Sequence, residues 1–355
     1  GLDTILIEKK AEVGAPLRCA EGVSKKWLQE VGIEPDPAWI RGDMKGAIIK
    51  SPQGTTFQLD ESKAGAEVGY VLERHIFDKA LARLAAEAGA KIMLRTSCTG
   101  IIREEGEIVG IKARSMGEEI EIRAKCVVAA DGYESQVGRW GGIDTNLKLS
   151  DIDSCIQYRM CNIDVVPDYC EFVIGSVAPG GYIWIFPKGN GVANVGIGVM
   201  GRLCKGDGDA KRYLDDFIAK DPRLNKGQCL EIMGGFVSTC PGLDCSVDDR
   251  LVLVGDAARI IDPITGGGIA HACRTGMYAG KVLTECAKTG DYSKKALMAY
   301  DKMWRDRMED KLFRNFMAKE KLASLDDETI DELIKMIKPA DIGEVNVYNL
   351  LKAVK

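Results

Sequence analysis

The apolar positions of this chain fall into strand-like and helix-like repeats. Residues 4–8 form a short apolar run ending in an acid and read as a strand. Residues 17–23 make a glycine-containing loop, and Ser24 stands where a helix running to residue 31 needs its N-cap. Residues 46–59 alternate and carry turn residues at 52–54, the pattern of a hairpin. Over 74–88, Phe77, Leu81, Leu84 and Ala88 share a helical face, and Gly89 closes the run. Segments 91–94, 100–105, 107–114 and 120–122 read as a strand followed by a small antiparallel meander. Residues 126–130 form a buried strand feeding Asp131-Gly132.

From about residue 150 the pattern changes. Segments 155–163, 170–177, 181–187 and 194–199 alternate as strands of an antiparallel sheet, and 209–220 reads as a helix. Residues 251–254 return to a buried strand, followed by Gly255-Asp256, a glycine-rich loop at 266–268 and a helix from 269 to about 286. Two more helical stretches span 294–323 and 327–338. The alternation predicts an α/β fold with two interleaved domains. Residues 1–45, 70–150 and 240–290 would build one domain. Residues 46–69 and 151–239 would build an inserted sheet, and 291–355 a C-terminal helical region.

Composition narrows the function classes. The 355 residues are 46% hydrophobic and 28% charged, which suits a folded protein of about two domains. A net charge of −5 argues against a broad basic face for nucleic acid. No apolar run approaches the ~18 residues of a membrane span. Two histidines and twelve scattered cysteines without a C-x-x-C pair predict no metal site. Such cysteines read as reduced core residues, which points to a cytoplasmic location.

Three segments carry nucleotide-binding chemistry. Glu8, at a strand end, stands where doubly wound folds place a ribose-binding acid. No G-x-G-x-x-G precedes it, so a further strand and phosphate loop of roughly 20 to 30 residues are expected ahead of residue 1. Asp256 is delivered by a strand to a place where its carboxylate can accept hydrogen bonds from a polyol. Gly266, Gly267 and Gly268 let backbone approach a planar ring, and the following helix aims its positive end there. The third segment is Asp131-Gly132, which by itself reads equally as a turn. Separately, Tyr182, Trp184 and Phe186 alternate along one strand and so share a face, an aromatic wall suited to a long apolar chain.

Glu8, Asp131-Gly132 and Gly255-Asp256 occur in the order seen in flavoproteins of the aromatic-hydroxylase type. More narrowly, Pro179-Gly-Gly-Tyr182-Ile-Trp184-Ile-Phe186-Pro187 resembles the P-x-x-Y-x-W-x-F-P signature of geranylgeranyl reductases, especially the archaeal ones acting on digeranylgeranylglycerophospholipids. Arg18-Cys-Ala-Glu-Gly-Val-Ser24 resembles that family's cysteine loop, and residues 263–270 its flavin loop. The resemblance covers roughly residues 1–290. It implies a Rossmann-like FAD-binding domain, with FAD contacts at Glu8, Arg18, Cys19, Ala20, Gly22, Arg74, Cys98, Asp131, Asp256, Gly267, Gly268 and Ile269. Tyr182, Trp184 and Phe186 would line the substrate, and Cys19 would give a proton beside the flavin or simply line it. The implied activity is saturation of isoprenoid double bonds, with electrons from an external donor: a ferredoxin, a nicotinamide or a deazaflavin. A hydroxylase of the same fold and a non-catalytic lipid-binding protein are the alternatives. The stripe Leu297, Tyr300, Trp304, Met308, Leu312 and Phe316 reads as a helix packed on the body. With Lys311, Arg314, Lys319 and Lys321 it reads alternatively as a peripheral membrane contact.

Overall fold

The computed structural model describes residues 1–60 and 69–336. Residues 61–68 of the segment expected in the inserted sheet, the end of the last expected helix and the segment to 355 lie outside the described residues. Short parallel strands from distant parts of the chain form the base of the fold. Ile5–Ile7 pairs with Lys91–Met93, and Val127–Ala129 pairs with Leu251–Leu253. The three-stranded meander Thr96–Glu104, Glu107–Ser115, Glu118–Arg123 lies beside them. The helices Ile269–Thr289 and Lys294–Trp304 pack over Leu251–Leu253, where Val252, Leu283, Leu297, Tyr300 and Trp304 share one core.

The inserted sheet has seven strands. Their order is Gln228–Ser238, Ile152–Cys161, Val192–Met200, Tyr182–Gly189, Tyr169–Ile174, Gly46–Lys50, Thr56–Asp60. It is mixed rather than purely antiparallel, because Gly46–Lys50 joins Tyr169–Ile174 in parallel. Strand alternation separates its two faces. Ile183, Ile185, Val195 and Ile197 pack beneath the helix Asp209–Lys220, against Ala210 and Leu214. The opposite face carries Tyr182, Trp184 and Phe186 with Phe172, Cys155 and Ala47, and meets Ala20 of the cysteine loop.

Several local expectations are corrected. Ser24 occupies the N-cap of Lys25–Glu30, but its hydroxyl makes no cap bond. Leu84 of the helix Arg74–Glu87 is half exposed, so Phe77 is the buried anchor of that face. The 294–323 stretch is three pieces: Lys294–Trp304, a π-helical turn Arg305–Glu309, and Asp310–Leu322. Its stripe residues from Leu297 to Leu312 are buried, which fits packing on the body. Lys319 is buried too and donates to Thr239, so it is withdrawn from any membrane-facing set. A small sheet of Gly22–Ser24, Gly69–Leu72 and Ile40–Asp43 was not expected.

Candidate active site

The site forms where the aromatic face of the inserted sheet meets the cysteine loop and the glycine loop. Tyr182, Trp184 and Phe186 each touch a different part of it. The Tyr182 hydroxyl donates to the Thr265 carbonyl in the glycine loop. The Trp184 indole donates to Gln157 at 2.7 Å, and Gln157 in turn donates to the Cys19 carbonyl at 3.1 Å. Phe186 lies against Gly22, where an added Cβ would stand 3.0 Å from the ring. The three rings and Phe172 pack edge to face.

Arg74 opens its helix beside this loop. Its guanidinium grips Asp78 at 2.8–3.1 Å and lies near Cys19 and Asp256. Burial opposes the arginine's charge, but Cys19 and Asp78 raise its pKa above the usual value. Burial pushes the Asp256 carboxyl up, and Arg74 opposes that shift. Among the described residues no hydrogen bond pairs this carboxylate with a protein donor. One of its oxygens stands 3.0 Å from the place a Cβ would take at Gly268. Glycine at 268 therefore keeps a polar recess open at the start of the 21-residue helix Ile269–Thr289. Asp262 shapes the loop by accepting from the backbone of Ile264 and Thr265, and Asn315 holds its other oxygen.

Glu8, Cys98 and Asp131 form a second group, apart from Arg18, Gly267 and Ile269. Glu8 follows its strand directly, and its carboxylate accepts from the Lys10 backbone at 2.8 Å. Its carbonyl accepts from Thr96, on the strand that bears Cys98. Cys98 lies near Asp131, and burial raises its thiol pKa. Asp131 spends its carboxylate on the Val137 N–H and the Ser135 hydroxyl, holding the first turn of Gln136–Trp140. Arg18 is exposed near Tyr133. Gly267 is exposed, and Ile269 packs toward Val23 and Leu28. His271 is buried against Met308 and Trp27, and burial lowers its pKa to about 3, so it stands neutral.

Sequence reasoning missed the charged cluster that fixes the cysteine loop. Glu21 is fully buried and adopts a left-handed backbone at φ 75°. Its carboxylate accepts from Lys188, from Arg159 at 2.9 Å, from Asn194 at 2.8 Å and from the Arg74 backbone at 2.8 Å. Asn194 also donates to the Ala20 carbonyl at 3.1 Å. Glu73 joins the cluster through Lys188 at 3.1 Å. Burial works against its charge, but Lys188 and Arg159 hold its carboxyl below the usual range. No short motif links these residues, which lie up to 173 positions apart.

Comparison with known proteins settles the ancestry of this arrangement. Residues 151–237 match the geranylgeranyl reductase catalytic domain, and 18–172 match an FAD-binding domain. A digeranylgeranylglycerophospholipid reductase of Thermoplasma volcanium is 48% identical, over 100% of this chain and 90% of its own length. The chain belongs to the geranylgeranyl reductase family. The corresponding reductase of Methanocella arvoryzae is 46% identical over 100% of this chain and 90% of its own. A crystal structure of a geranylgeranyl bacteriochlorophyll reductase-like protein from Thermoplasma acidophilum superimposes with a TM-score of 0.94 at 47% identity. It is covered to 90%, and this chain to 100%. A flavin-dependent brominase shares the fold with a TM-score of 0.73 at 18% identity, covering 100% of this chain and 93% of its own. The family's flavin is FAD, and the recess of Asp256, Gly268 and Arg74 fits it. It offers a carboxylate that no donor among the described residues engages, the Asp78-held guanidinium of Arg74 for phosphate and a helix start for negative charge.

Proposed function

We propose that this chain is an FAD-dependent reductase that saturates the double bonds of geranylgeranyl chains on digeranylgeranylglycerophospholipid. The observation that carries this reading is the aromatic row Tyr182, Trp184, Phe186, seated between the cysteine loop and the glycine loop. Gly268 and Ile269 would hold the flavin end of the cofactor, with Cys19, Ala20 and Gly22 along the ring and ribitol, Asp256 at the ribitol or pyrophosphate and Arg74 on the pyrophosphate side. Glu8, Cys98 and Asp131 would serve the adenosine end. Bound FAD, when reduced, supplies a hydride to one alkene carbon. The chain's own residues do the rest. The aromatic row offers an apolar chain a face with few hydrogen-bond groups, so burial orients it and excludes water. Cys19 would place a proton at its Sγ for the second alkene carbon. Electrons would come from an external donor: a ferredoxin, a nicotinamide or a deazaflavin.

Lipid mass analysis checks this reading after expression of the full-length protein beside an unsaturated ether-lipid pathway. The expected result is a gain of one H2 per reduced bond, without oxygen, and slower gain with Cys19→Ser. Unchanged lipid masses would reject the reductase. Full turnover of Cys19→Ser on every bond would reject the thiol as donor.

We further propose that a membrane-held substrate is met through the solvent side of Asp310–Leu322. Phe313 and Met317 are about half exposed there, one helical turn apart, beside Lys321. No described helix is long and apolar enough to cross a membrane. Phe313→Asp with Met317→Asp should cut flotation with anionic liposomes several-fold. Equal flotation of variant and parent would reject contact through this face.

A further inference from the structure

Gln157 touches neither alkene carbon nor proton in the proposed reaction, yet it joins the aromatic row to the cysteine loop. It lies on Ile152–Cys161, is 3% exposed, and faces the same side of the sheet as Trp184. Its side-chain oxygen accepts from the Trp184 indole at 2.7 Å, and its nitrogen donates to the Cys19 carbonyl at 3.1 Å. Met233 Sδ, at 3.5 Å, is a second and weaker acceptor. The direction of this amide is fixed by chemistry, because an indole N–H only donates and a carbonyl only accepts. Trp184 has little freedom beneath it. Its ring lies against Gly196, where a Cβ would stand 2.3 Å from Cζ2. Displacement of the indole is therefore read by a side chain that also holds the carbonyl of Cys19.

We propose that Gln157 is a positioning residue that couples the seating of Trp184 to the placement of Cys19. An isoprenoid chain resting on the indole thereby sets the thiol loop. The identity of that chain rests on the function proposed above, whereas the coupling itself does not.

The test uses the FAD-loaded full-length protein with Gln157→Leu and Gln157→Glu. The first readout is the alkylation rate of Cys19 by iodoacetamide, followed by peptide mass without substrate. Gln157→Leu should change that rate several-fold and leave Cys170 and Cys286 at their parent rates. The second readout is anaerobic turnover of a geranylgeranyl lipid by chemically reduced protein. Here kcat should fall about tenfold with KM little changed, because the bonds that tie the indole and the Cys19 carbonyl to one amide are both lost. Gln157→Glu supplies a signature that packing alone would not give. Its ionised carboxylate opposes the Cys19 carbonyl, whereas its protonated form donates as the amide does. Activity should therefore recover toward the parent as pH falls, and Gln157→Leu should show no such recovery.

Unchanged Cys19 alkylation and unchanged kcat in Gln157→Leu would overturn the proposal, even if melting falls. If that variant does not fold, Trp184→Phe removes the indole donor along with one ring and should shift Cys19 alkylation in the same direction. No shift there would overturn the proposal equally. If the parent protein reduces no geranylgeranyl chain, the proposed function fails, and the alkylation comparison still decides the coupling.

Discussion

Lys188→Met is expected to destabilise the fold by about 3–5 kcal/mol, the cost of leaving a buried charge without its partner. The lysine side chain is 2% exposed, and its ammonium donates to Glu21 and to the Leu72 carbonyl at 2.8 Å. It also pairs with Glu73 at 3.1 Å. Methionine fills similar volume but leaves Glu21 and Glu73 to share Arg159, with Asn194 on Glu21 and with Arg41 and His75 each 3.5 Å from Glu73. Repulsion would then act on a loop whose Glu21 already holds a left-handed backbone. Denaturant unfolding of parent and variant measures the difference. Adding Glu21→Gln should recover a large part of the loss, because the neutral amide no longer needs the lysine. A single-variant loss under about 1 kcal/mol would show that the remaining cations, Arg159 and Arg41, neutralise the cluster without the lysine.

The elements were legible where a local pattern decides them. Gly89 ends its helix at φ 99°, and Asp209–Lys220 has the bounds its periodicity predicts. The edge strand Gln228–Ser238 was harder to read, because Gly234 and Gly235 interrupt its alternation. The C-terminal stripe held an unread signal. Tyr300, Trp304, Met308 and Leu312 are spaced by four, and steps of four drift around a helix of ~3.6 residues per turn. The π-helical turn Arg305–Glu309 absorbs that drift and keeps all four buried. At the site, the aromatic row and the glycine loop were visible because each is contiguous. Glu21, Gln157, Lys188 and Asn194 were not, since their roles arise only when distant strands align. Asp131 shows the converse: a motif residue whose carboxylate holds a helix start.

Gly196→Ala should lower turnover about 100-fold, a loss typical of a reacting group displaced by ~1 Å. The added methyl would stand 2.3 Å from Trp184 Cζ2, 2.5 Å from Cε2 and 2.8 Å from Nε1. A rigid indole cannot bend aside, so it must lift from the sheet. Lifting breaks its bond to Gln157 and disturbs its edge contact with Tyr182, whose ring centre lies 5.9 Å away. The wall, the amide and the Cys19 carbonyl are thus altered together. The stability cost should be about 1–3 kcal/mol, the usual range for one overpacked side chain. Gly280→Ala is the matched control. It lies exposed on Ile269–Thr289 with nothing within 4 Å of the new methyl. It should keep full turnover and gain roughly 0.5–1 kcal/mol of helix stability. Steady-state rates on a geranylgeranyl lipid compare the two. Parent-like turnover in Gly196→Ala would mean that the indole does not form the substrate wall.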